Sequence, residues 1–81
     1  MQNEVVDLEQ EFAAIEKEIA DFEEQRAQCL ALLRSLAEQE DMANGVFRHE
    51  EIHAAKQEKL RLDFEIQFRK GRMSRMRYAS E

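Results

Sequence analysis

Residues Val5–Leu36 read VVDLEQEFAAIEKEIADFEEQRAQCLALLRSL, and the spacing of their apolar side chains decides the fold. Val5, Leu8, Phe12, Ile15, Ile19, Phe22, Cys29, Leu33 and Leu36 recur at alternating intervals of three and four, interrupted only at Arg26. That spacing is the a/d seam of a coiled coil. A long helix draws most of its stability from packing its apolar face, so a second helix must lie along this seam.

The rest of the chain supplies one. Met42-Ala43-Asn44-Gly45 contains the strongest turn dipeptide in the sequence, Asn-Gly, whose residues tolerate the left-handed conformation that ends helices. Beyond it, Ile52, Ala55, Leu62, Ile66, Met73 and Met76 share one face at 100° per residue, with Lys59 and Arg69 at its margin. The competing architecture is one continuous or bent rod in a parallel dimer. Register argues against it, because extending the first heptad would seat Glu50, Gln57 and Arg61 on the seam and leave Ile52, Leu62 and Ile66 off it. The expected fold is therefore all-α: a single antiparallel, coiled-coil-like two-helix hairpin, built into a larger helical bundle by oligomerisation or by a partner. Its first helix is expected over about residues 3–41, its turn over 42–46 and its second helix over 47–78.

Finer expectations follow from the same spacing. Asn3 suits the N-cap, and Glu4 and Asp7 suit the positive end of the helix dipole. Leu30, Leu32 and Ala37 widen the apolar stripe toward the turn, predicting a broader core there, over which Val46 and Phe47 close against Leu33 and Leu36. The second helix starts without an obvious side-chain cap. Folding back aligns Arg26 with the region of Glu58 and Arg61, predicting a register-setting Arg26–Glu58 pair.

Composition agrees with long helices. The 81 residues contain no proline and two glycines, and 37% of them are charged. A domain this small has difficulty stabilising itself with one core, so a partner is expected. The net charge of −6 is unevenly laid out: residues 1–40 carry eleven acids and three bases, whereas residues 61–81 carry six bases and three acids. An antiparallel hairpin brings the acidic start beside the basic end. One cysteine excludes an internal disulfide, and its seam position marks Cys29 as a buried small hydrophobe. The N-terminal residues lack a signal-peptide pattern and no apolar run is long enough to span a bilayer, so the expected location is cytoplasmic.

A second apolar set remains outside the hairpin. Leu60, Phe64, Phe68 and Tyr78 project almost opposite Leu62 and Ile66, alongside His49, His53 and Gly71. Such a patch marks a partner-binding surface. On the back of the first helix Val6, Ala13, Ala20 and Ala27 recur every seven residues, with Ala31 beyond them; alanine there serves helix propensity as well as close approach.

Signals for chemistry are sparse. His49-Glu50-Glu51-Ile52-His53 resembles the H-E-x-x-H zinc helix of the zincin metalloproteases, a resemblance that would make the histidines zinc ligands and Glu50 a general base. It extends no further, since Lys56 stands where the metzincin pattern has glycine and no third histidine follows. The residues themselves read as polar histidines bordering a helix interface, able to make it pH-sensitive. The run from Arg69 to Tyr78 carries five bases and could address nucleic acid or an anionic membrane surface, but the acidic start would neutralise it and the acidic molecule would repel a polyanion. Ser74 lies among those arginines as a candidate phosphorylation site. No phosphate loop, cysteine pair or activated nucleophile is present, and no cofactor is implied. The sequence thus points to a non-enzymatic interaction module: a small subunit, adaptor or chaperone-like protein that docks helices through Leu60, Phe64, Phe68 and Tyr78.

Overall fold

A computed structural model of the chain describes residues 4–80 and contains two long helices packed against each other, α1 over Glu4–Gln39 and α2 over His49–Ser80. The chain forms an antiparallel hairpin some 69 Å long and about 15 Å across. Among the described residues there is no strand, only an isolated bridge between Asp41 and Val46. Asn3 and the side chains of Val5 and Val6 lie outside the described residues.

The helices stop short of the expected turn on both sides, because the connection is built by more than Asn-Gly. Asp41 caps a short 3-10 turn, Met42–Asn44, its carboxylate accepting the backbone N–H groups of Ala43 and Asn44 and the Asn44 side-chain amide. Of the two turn residues only Gly45 is left-handed, at φ 70°, and its N–H reaches the Met42 carbonyl. Asp41 and Val46 then exchange backbone hydrogen bonds of 3.0 and 2.8 Å, which closes the loop. The end of the first arm reaches the start of α2: the Glu40 carboxylate accepts the backbone N–H of Arg48, the residue before the helix, at 3.3 Å. Glu50 and Glu51 follow in the first turn, where the dipole favours them.

Beyond its chain neighbours, no atom lies within 4 Å of where a Cβ at Gly45 would stand, so a side chain there is opposed by backbone conformation alone. Gly45→Ala is expected to destabilise the hairpin by about 1–2 kcal/mol, and Gly45→Asn by less, since asparagine tolerates the left-handed region. Thermal melts of the two variants would show this order. Equal melting temperatures for all three proteins would mean that the turn relaxes freely.

The core lies along the predicted seam from Ile15 to Leu36, while Leu8 of the same seam is 37% exposed. Ile15, Ile19, Cys29 and Leu36 of α1 are buried against Ala55, Leu62 and Ile66 of α2, in two clusters joined through Phe22. Cys29 is a free, buried thiol that donates to the Ala55 carbonyl at 3.0 Å, beside the smallest side chain on the α2 seam. The broader core expected near the turn does not form. Leu30 and Leu32 remain exposed, and Phe47 is half-exposed, with its ring stacked on His49 at 5.5 Å between centroids. Two helices bury one stripe each, so the flanks of a widened stripe have nothing to pack on.

The polar seam positions also differ from expectation. Arg26 pairs with Asp63 at 3.0 Å rather than with Glu58, which lies toward solvent and is held by Arg61 on the same helix. Asp63 follows the buried Leu62 and flanks the seam, whereas Glu58 projects past its opposite edge. Lys59 and Arg69 complete the heptad between Ile52 and Met76 as members of the seam rather than its margin. Lys59 reaches Asp63 at 2.9 Å, and Arg69 lies over the Phe22 ring, 4.5 Å from its centroid.

Candidate functional site

The acidic start and basic end of the chain are neighbours, as the hairpin requires. Arg69 binds Glu18 at 2.8 Å and Glu65 at 2.6 Å, and Arg72 binds Glu11 at 2.6 Å. The Arg77 guanidinium stands 5.1 Å from the Phe12 ring centroid. Arg69 and Arg72, two of the bases that suggested a polyanion surface, are therefore committed to carboxylates of the chain itself. Arg69 is held more firmly protonated than a free guanidinium, by hydrogen bonds to Glu18 and then Glu65.

Asp63 is the acid most tied to the hairpin, since both Lys59 and Arg26 hydrogen-bond it and hold its carboxyl below the usual carboxylate range. A depressed folded-state pKa contributes stability above the unfolded value near pH 4 and loses it as pH falls through the lower folded value. Melting temperature is accordingly expected to fall below about pH 4. Asp63→Asn should flatten that limb; an unchanged acid limb would assign it to other carboxyls.

The predicted second face is outward. Leu60, Phe64, Phe68 and Tyr78 are 60%, 65%, 54% and 81% exposed, while Leu62 and Ile66 between them are 1% and 0% exposed. The alternation follows from a helix whose neighbour covers a single stripe. Phe64 and Phe68, one turn apart, stack on each other with centroids 6.1 Å apart and planes 22° from parallel. Each ring thus shields one side of the other and leaves its far side to water. Tyr78 stands more than two turns beyond Phe68, so the ridge proper is Leu60, Phe64 and Phe68.

Sequence reasoning did not find the groove at the open end of the hairpin, about 400 Å³ and lined by Leu8, Phe12, Ala13, Met76 and Arg77 with Glu9 and Glu16. Its only signal was the flexible methionine pair ending the α2 stripe. His49 and His53 of the H-E-x-x-H run are exposed, and the nearest carboxylate to His49 is Glu40, at 4.0 Å. Among the described residues, no three histidine, cysteine or carboxylate side chains are grouped as a metal site. Neither helix is long and apolar enough to cross a membrane. The chain matches no known family model, and no curated protein or solved structure is significantly similar to it, so the functional reading rests on this geometry.

Proposed function

We propose that the chain is a non-enzymatic helical interaction module, acting as a small subunit, adaptor or chaperone-like protein in the cytoplasm. It packs the outer ridge of α2 against partner helices to build a larger bundle. The observation that carries this reading is the stacked, half-exposed Phe64–Phe68 pair directly behind the buried Leu62 and Ile66. Large aromatics near the middle of a surface are what binding hot spots consist of, and covering them removes apolar area from water without disturbing the hairpin seam. The charged residues beside the ridge would set orientation.

The test is Phe64→Asp, measured by light scattering on the purified chain and on its complex with any protein that copurifies. Association is expected to weaken at least 100-fold, with far-UV helicity unchanged; a carboxylate buried against apolar side chains is worth several kcal/mol to an interface. Association that survives both Phe64→Asp and Phe68→Asp would remove this face from the mechanism.

A further inference from the structure

We infer that the occupant of the α2 ridge is the back of α1 in a second copy of this chain, so that copies associate head to tail with their rods side by side. This rests on the docking role proposed above and names the partner.

Charge favours this occupant. Arg61, Arg72 and Arg75 flank Phe64 and Phe68; Arg61 and Arg72 hold Glu58 and Glu11 of their own chain, and Arg75 is the base left to meet a partner. The back of α1 is the reverse, with Glu9, Glu16, Glu23 and Glu24 beside Ala13, Ala20 and Ala27, and Lys17 the one base among them. Those four glutamates and Arg75 have no ion pair within the described residues. An aromatic ridge carrying Arg75 and an acidic surface of small side chains are complementary in sign and in shape.

The register that sets Asp41 beside Val46 and Glu18 beside Arg69 puts Leu60 level with Ala27, Phe64 with Glu23, Phe68 with Ile19 and Arg75 with Phe12. Two rods laid side by side without axial shift therefore bring Leu60 to Ala27, Phe68 to Ala20, and Arg75 between Glu9 and Glu16. The helices at that junction are antiparallel and repeat the internal register. The alternative isologous pairing, α2 on α2 about a twofold axis at Phe64, offers Arg75 no carboxylate, since it sets Arg75 level with His53.

The area suffices only with Tyr78, which the same register sets level with Glu9: at their observed exposures Leu60, Phe64, Phe68 and Tyr78 together leave on the order of 500 Å² uncovered per copy, and matching it on a partner gives about 1,000 Å², the lower bound for a specific interface. A heterologous contact of this kind leaves a free face at each end and can extend.

Sedimentation velocity of the full chain over a concentration series tests the inference. Wild type should associate; Phe64→Asp should weaken association at least 100-fold and Ala20→Trp at least tenfold, with helicity retained. In a Cys29→Ser background, a mixture of Ala20→Cys and Gln67→Cys copies, which keep every ridge side chain, should form a mixed dimer with a short bis-maleimide, while Phe64→Cys alone should not cross-link. A monomer at all concentrations, insensitivity to Ala20→Trp, or a Phe64→Cys homodimer would overturn the head-to-tail occupant and leave the ridge as a docking face. Wild-type association untouched by Phe64→Asp would overturn the docking role itself.

Discussion

Truncating Ile66 or Leu62 to alanine is expected to abolish cooperative folding of the hairpin at ambient temperature, whereas Phe64→Ala in dilute solution should leave its melting temperature within a few degrees. Ile66 and Leu62 are the two most completely buried side chains among the described residues, one in each core cluster. Removing such a side chain destabilises by about 2–5 kcal/mol, part transfer free energy and part residual cavity. An 81-residue domain has roughly 4–12 kcal/mol in total at typical stability per residue. A two-helix hairpin with one seam belongs at the low end, because each helix buries one stripe and nothing covers its back. Phe64 is larger than either residue, yet its truncation removes little buried area from the isolated chain. Thermal melts by far-UV circular dichroism at micromolar concentration separate the two classes. A larger loss from Phe64→Ala than from Ile66→Ala would mean that the fold depends on the associated state from the outset.

The hairpin was legible because each of its determinants is local and periodic. The α1 seam, the α2 stripe and the Asn-Gly turn can each be read in a short window, and the mismatch of heptads across the turn distinguishes folding back from running on. What could not be read depends on geometry between arms. Asp63 and Glu58 are equally plausible partners for Arg26 by sequence level, and only the side on which each flanks Leu62 separates them. Asp41 looks like one more acid at a helix end until Ala43, Asn44 and Val46 fold onto it. Leu30 and Leu32 widen the stripe on paper, yet burying them needs a third helix. The outer ridge was legible for the opposite reason: its angular separation from Leu62 and Ile66 is fixed by helix pitch alone.

Reversing one seam charge should invert the acid response of the whole molecule. Arg69→Glu is expected to lower the melting temperature at pH 7 by on the order of 10 °C, and to recover much of that loss on acidification toward pH 4. Arg69 bridges Glu18 and Glu65 and lays its guanidinium over Phe22, so the substitution removes a cation from the ring and gathers three carboxylates at one seam position. Crowded carboxylates resist ionisation, which raises their folded-state pKa values above the unfolded value near 4.3. A raised acid pKa means that the folded state binds more protons than the unfolded one, so stability grows as pH falls through the raised values. The wild type has the contrary sign, because Asp63 and Glu58 are held low by Lys59, Arg26 and Arg61 and lose their contribution below about pH 4. High salt should rescue the variant at neutral pH by screening the repulsion. Arg69→Met, which keeps an apolar stem over Phe22 without adding charge, should melt between wild type and Arg69→Glu and show no recovery in acid. Were Arg69→Glu to stay equally destabilised from pH 7 to pH 4, with salt making no difference, packing of the arginine stem rather than its charge would be what holds the two arms together at this level.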